Sequence, residues 1–314
     1  MPKIYKFMFW FSISLVVSSV VAVGMFGLKL GVDFQGGSVL ELSFNSSTDS
    51  IDSPQAGSGR PDISQIQKTL TPKIGDVELS PEGDTGLIVR THELTEVQHQ
   101  EVLSALKTAF PTAGLEEKQF SSVGPVIGNE LKQRSLWAIF LVLVCVVIYI
   151  AFVFRKLGRT TSPWSMGLAA IVALVHDVAI PVGVFAILGH FYGIEVTGVF
   201  VAAALTILGF SVSDTVIIFD RVRENIIRGG LPAGRQGNKS EFGALVHRSV
   251  MQTLTRSLNT VFTVLLSLFA IYFFGGASIK YFSLALIIGI FLGAYSSIFV
   301  ASPLLVWWTP HTKR

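Results

Sequence analysis

Charge is scarce in this chain of 314 residues. Only 14% of them are charged, 24 basic and 21 acidic, where a soluble globular chain averages roughly 25%. Cysteine is almost absent. With Cys145 as the only one, an internal disulfide and a cysteine-based metal site are both excluded. Cys145 sits in an apolar run and reads as a small residue facing lipid or another helix. Half of the residues are hydrophobic, and the mean hydropathy is +0.59. This excludes a disordered chain and argues against an ordinary cytosolic enzyme. It fits a membrane protein if the apolar residues come in runs of about 20.

Six such runs are present: Phe7 to Leu28, Leu136 to Phe154, Trp164 to Leu188, Val196 to Phe219, Ser257 to Phe274, and Tyr281 to Leu305. The first is too long for a typical signal peptide and has no small-x-small cleavage site, so it reads as a retained helix. Lys and Arg cluster before span one, after span two, between spans four and five, and at Lys313 and Arg314. By the positive-inside rule both termini and these loops are cytoplasmic. The reading places residues 1–30 as the N-terminus and span one, 31–135 as an extracytoplasmic domain, 136–308 as spans two to six with a cytoplasmic loop at 220–250, and 309–314 as a cytoplasmic tail. The net charge of +3 then divides into −7 for 31–135 and +10 for the rest.

The outer segment reads as β-α-β-β-α-β, the split ferredoxin-like order. Strands are expected at 38–45, 76–80, 86–91 and 115–122, the middle two joined across a PEGD turn. Helices are expected at 61–70 and 93–110. The fold class is therefore an α-helical polytopic membrane protein with a small α+β extracytoplasmic domain. The outer segment has no Ser/His/Asp arrangement, metal cluster or phosphate loop, and its His99 reads as a helix surface residue. Residues 46–60 and 229–240 read as flexible Ser- and Gly-rich loops.

Charges within the spans carry the functional signal. A carboxylate at the centre of a span costs roughly 2.5–3.5 kcal/mol on the insertion scale, so it usually faces protein or water and serves a function. At about 1.5 Å per residue, Asp214 lies roughly 10 Å and Arg256 roughly 12 Å above the inner interface. On successive antiparallel helices they are expected to pair. Asp177 falls roughly 21 Å from the inner side, too far for direct pairing with Asp214. Pro181 removes the helix bond to the Asp177 carbonyl and predicts a kink there. Polar residues surround these groups: His176, Ser211, Ser213, Thr215 and Gln252. The hydroxyls alone would be explained by helix–helix hydrogen bonding. The full charges point to protonation chemistry, with Asp214, Arg256 and Asp177 as a proton path.

Gly31-Val32-Asp33-Phe34-Gln35-Gly36-Gly37 resembles the GVDFxGG motif of the SecF family, accessory membrane subunits of the bacterial Sec preprotein translocase. VGPVIG before span two, ALVHDV in span three, LTILGFSVSDTVIIFDRVREN in span four and QTLTRSLNT opening span five are similar to four further motifs of that family. Two positions depart from it: Ser213 stands where the family usually has Asn, and Phe210 where it usually has Tyr. Residues 229–239 look like a Gly-rich insertion. The resemblance implies membership of the resistance-nodulation-division (RND) transporter superfamily and use of the proton gradient, with no cofactor but protons. It implies SecD as partner with the other six spans, the SecYEG channel and the SecA motor beyond it, translocating preproteins as cargo, and YajC and YidC as further associates. Neither an enzyme activity nor nucleic acid binding is expected, and the location implied is the inner membrane. Gly31, Asp33, Gly36 and Gly37 read as a helix-exit turn, or as a hinge between membrane and outer domain. The competing readings are an RND small-molecule antiporter subunit and a translocon scaffold with idle carboxyls.

Overall fold

The computed structural model describes residues 1–45, 60–155, 163–230 and 239–308. The loop at 46–59 and most of the Gly-rich insertion, 231–238, lie outside the described residues. The chain divides into two compact units, Leu30–Arg134 on one hand and Met1–Lys29 with Ser135–Arg314 on the other.

In the membrane unit, six helices are long and apolar enough to cross a membrane. They are α1 (Lys3–Phe26), α5 (Pro125–Val153), α6 (Pro163–Tyr192), α7 (Gly198–Asn225), α8 (Lys239–Phe274), and a sixth formed by α9 (Ala277–Ser296), a π-helical turn (Ser297–Ala301) and α10 (Ser302–Trp308). The short α2 (Val32–Gln35), α3 (Ile63–Ile74) and α4 (Glu96–Ala109) belong to the other unit. Helix α8 begins well before the apolar run, so Arg256 is helical as the depth estimate required. Helix α6 continues through Pro181.

Small residues set the helix spacing, as expected where packing rather than the hydrophobic effect joins helices. A Cβ on Gly183 of α6 would meet Ser19 Cβ at 2.4 Å, so α1 lies directly against it. A Cβ on Gly289 of α9 would meet Ile207 Cδ1 of α7 at 2.2 Å. Tyr5, Phe154, Met166, Phe219, Phe242 and Leu305 belong to one buried apolar cluster that joins α1, α5, α6, α7, α8 and α10.

The Leu30–Arg134 unit holds a four-stranded antiparallel sheet ordered β2-β3-β1-β4, from β1 (Gly37–Phe44), β2 (Glu78–Glu82), β3 (Gly86–Thr91) and β4 (Leu115–Val123). This is the expected ferredoxin-like order. The turn falls at 83–85, because β2 runs on through Pro81, tolerated on an edge strand. Alternation along β1 puts Leu40, Leu42 and Phe44 into a core with Ile66 and Leu70 of α3 and Val102 and Leu106 of α4. A ring of bonds closes beneath α4. The Leu94 amide donates to Ser38 Oγ (2.8 Å), Ser38 Oγ to Ser122 Oγ (2.8 Å), and Ser122 Oγ to the Leu94 carbonyl (3.1 Å).

His99 is 4% exposed, which corrects its reading as a surface residue. It stacks on Phe120 of β4 at 3.8 Å between ring centroids, with Glu96 and Glu117 carboxylates on its two nitrogens. Its helical period places it inward beside Val102 and Leu106.

Gly36 and Gly37 adopt φ of 80° and 127°, a region that favours glycine. A Cβ on Gly36 would meet Pro125 Cα at 2.7 Å, and one on Gly37 the Thr91 carbonyl oxygen at 2.7 Å. The two glycines thus let the segment after α2 press against the start of α5 and the end of β3.

Glu41 lies on the sheet face away from the helices. Burial pushes its carboxyl above the usual range and Glu82 adds to this, while Lys118 and Arg90 oppose it. A raised folded-state value means that folding favours the protonated acid. The destabilisation is fully present above the folded value and fades as pH falls toward the unfolded value of about 4.3. Glu41→Gln is therefore expected to slow amide exchange across β1 at neutral pH, with the difference from the native chain vanishing near pH 4.

Candidate functional site

Asp177 is fully buried on α6. Its carboxylate accepts from His176 Nδ1 at 2.8 Å on Oδ1, from Ser211 Oγ of α7 at 2.5 Å on Oδ2, and from Ser296 Oγ at the end of α9 at 2.7 Å on Oδ2. An ionised carboxylate has about four acceptor sites, so three helices fill most of them. Asp214 lies three residues after Ser211 on the same face of α7, and Ser257 Oγ of α8 donates to its Oδ1 at 3.2 Å. Next to it, Thr215 Oγ1 and Ser297 Oγ share a hydrogen bond of 2.9 Å. Eight side chains from four spans thus build one buried polar layer.

This geometry corrects the expected separation of the carboxylates. Because Asp177 bonds to Ser211, it stands only about one helical turn, roughly 5 Å along the axis, from the level of Asp214. Residue counts taken from separate loops do not fix the relative level of two helices; the hydrogen bond between them does. The two carboxyls share no hydrogen bond; Ser211 is the residue between them.

A second correction concerns Arg256. It is exposed on α8 and forms no ion pair among the described residues, so it is not the partner of Asp214. Its neighbour Ser257 faces inward instead. One residue along a helix rotates the side chain by about 100°, so matched depth does not ensure a matched face.

Two supporting residues also fall elsewhere. Ser213 is exposed on the outer side of α7. Gln252 is exposed and accepts from Asn225 Nδ2 at 2.9 Å, near Ser249, at the far end of α7. His176, Ser211 and Thr215 are brought together with the carboxylates. Gly31, Asp33, Gly36 and Gly37 lie in the other compact unit.

Sequence reasoning missed Ser296 and Ser297. Two adjacent hydroxyls in an otherwise apolar span were the available signal. It also missed Gly289 and Gly293, spaced four apart on α9. A Cβ on Gly293 would lie 3.2 Å from Ser211 Cβ and 3.7 Å from Asp177 Oδ2. Hydrogen there lets α7 and α9 close around the carboxylate.

The layer can hold, release and pass a proton. A protonated Asp177 gains a donor, and the hydroxyls of Ser211 and Ser296 can rotate from donating to accepting. His176 Nε2 is buried without a hydrogen-bond partner among the described residues, and Tyr295 lies over the ring at 6.2 Å between centroids. An unsatisfied buried nitrogen is costly, and it offers a further place for a proton or a water.

The family described as "Protein export membrane protein SecD/SecF, C-terminal" matches residues 102–311, and the "SecD/SecF GG Motif" matches residues 21–48. A protein translocase subunit SecF from Thermobaculum terrenum is 40% identical over 303 residues, covering 95% of this chain and 90% of the relative. The chain belongs to the SecF family of protein translocase subunits. A second SecF, from Anaerolinea thermophila, is 34% identical and covers 98% of this chain and 92% of its own. The crystal structure of SecDF from Thermus thermophilus, a translocon-associated membrane protein, aligns with a TM-score of 0.73 at 29% identity over 97% of this chain. This chain spans 38% of that one. The polar layer sits within the matched SecD/SecF region, and Gly36 and Gly37 within the GG motif.

Gly289→Ala is expected to overpack the α7–α9 contact and cost about 1–3 kcal/mol, read as a lower melting temperature in detergent. Combined with Ile207→Ala, the loss should be smaller than the two single losses together, since Ile207 is what the new methyl meets.

Proposed function

We propose that this SecF-family chain is a proton-driven accessory subunit of preprotein export in the cytoplasmic membrane, with both termini inside. The observation that carries the reading is the buried Asp177 carboxylate, bonded by His176, Ser211 and Ser296 within one helical turn of Asp214. Idle helix–helix glue seldom spends a full charge, because a buried charge costs several kcal/mol and an apolar replacement packs as well. A protonatable group whose donors come from three helices ties its proton state to how those helices pack. That link is what a proton-driven machine requires. One charge crossing 100 mV releases about 2.3 kcal/mol, enough to shift a two-state bundle nearly fifty-fold.

The partner in this reading is a SecD subunit that supplies the other half of the bundle, acting at the SecYEG channel with SecA on a translocating preprotein. Its docking face is the polar side of the spans. Ala202, Thr206, Gly209 and Ser213 are exposed along one face of α7, and Gln252, Arg256, Asn259 and Thr263 along one face of α8. Such faces suit protein rather than lipid. Met251, Leu258, Phe262 and Phe269 on the other exposed side of α8 suit lipid. Arg256 thereby keeps its place in the proton path, facing the partner rather than Asp214.

The test is proton-dependent preprotein translocation into inverted membrane vesicles. Asp177→Asn and Asp214→Asn should each abolish the stimulation by the proton gradient and leave co-purification with SecD intact. Full stimulation in both variants, at normal expression, defeats the proton reading and leaves the scaffold reading in its place.

A further inference from the structure

The last span is interrupted inside its apolar stretch by the π-helical turn Ser297–Ala301, and Pro303 follows two residues later. The proline offers a physical reason for the turn. Pro303 has no N–H, and in an unbroken α-helix its ring would meet the carbonyl of Phe299 four residues back. Widening the preceding turn by one residue relieves that clash, and π-turns of this kind concentrate at functional sites. Ser302, between the turn and the proline, is fully buried, and its hydroxyl donates to the Ser297 carbonyl five residues back at 2.8 Å. The hydroxyl thus serves a carbonyl in the widened turn.

The turn opens directly at the polar layer. Ser296, the last residue before it, donates to Asp177 Oδ2 at 2.7 Å. Ser297, its first residue, meets Thr215 Oγ1 at 2.9 Å beside Asp214. Both serines also lean on the carbonyl of Gly293, at 3.1 and 2.9 Å. In a regular helix, two consecutive side chains point about 100° apart. Here one reaches α6 and the next reaches α7.

We propose that Pro303 and Ser302 are positioning residues for the proton path: together they hold the π-turn that aims Ser296 at Asp177 and Ser297 at Thr215. Neither residue touches the carboxylates. They act through the register of the span: a regular helix in their place would repack the junction at which Ser296 ends α9 and Ser297 opens the turn. The inference rests on the proton-driven reading above, and its test separates the two.

The measurement is the pH-induced infrared difference spectrum of the full chain in complex with SecD, in lipid. The C=O stretch of the protonated Asp177 carboxyl is assigned as the band missing from Asp177→Asn. Hydrogen bonds to a carboxyl lower that frequency, so Ser296→Ala should move the band upward. Pro303→Ala and Ser302→Ala should move it in the same direction, although both keep Ser296. The double variant Pro303→Ala with Ser296→Ala should move it no further than Ser296→Ala alone, since both act on one bond. A band unmoved by Pro303→Ala and Ser302→Ala, but moved by Ser296→Ala, overturns the positioning role and leaves the proton reading standing. If Pro303→Ala does not assemble, Ser302→Ala, which removes a single oxygen, decides by the same criterion. A native complex with no Asp177 band defeats the proton reading, and the inference with it.

Discussion

The membrane unit is organised around one constraint: the Asp177 carboxylate must find its hydrogen bonds inside the protein, because the hydrocarbon around the bundle offers none. Its donors come from its own helix, from α7 and from the end of α9. For Ser211 and Ser296 to reach it, α7 and α9 must lie close, and Gly289 and Gly293 supply the missing side-chain volume. Ser296 reaches it from the last residue of α9, where the π-turn begins. The carboxylate, the glycines and the π-turn therefore form one arrangement, and a change in the charge of the carboxylate bears on all of them.

This arrangement sits about one turn from the level where α7 presents Asp214, whose hydrogen bond comes from a different neighbour, α8. Helix α7 is thus held by two carboxyl groups facing different neighbours: Ser211 ties it to α6, and Asp214 ties it to α8. If a proton neutralises one of them, the balance between those attachments changes. A helix shared between two such bonds is a natural place for small shifts of packing to begin, because packed interfaces tend to have discrete arrangements rather than a continuum.

Much of this was legible in the sequence, for definite reasons. Six spans follow from run length alone, and the β-α-β-β-α-β order from alternation and turn residues, as in SVLELSFN. Asp177 and Asp214 stand out because charges are so rare among apolar residues. What failed was geometry that one-dimensional spacing does not carry. Depth along a span ignores which way a side chain faces: it matches Arg256 to Asp214, while the inward residue is its neighbour Ser257. The polarity of His99 suggests a surface position, but its helical period puts it on the inward face of α4. The two serines of the last span were overlooked because a hydroxyl in an apolar run is weak evidence. Only the packing shows that they meet carboxylate and threonine from other helices.

The outward position of Arg256 is the part of the geometry that bears most on function. A guanidinium on the lipid face of a span is costly, and its usual remedy, reaching along its stem toward the interface, takes the charge away from the carboxyl level. Here the residue sits in a row with Gln252, Asn259 and Thr263, and α7 shows a matching row of small and polar residues. Asp177 and Asp214 accept hydrogen bonds inside this chain while Arg256 faces outward, and in the proposed reading that cation is met by the partner's surface. In the proposed complex the proton path then has two parts. One is complete within this chain, at Asp177 and Asp214. The other is completed only when the partner's half of the bundle closes over Arg256, so that coupling to the proton gradient depends on the assembled pair rather than on either half alone.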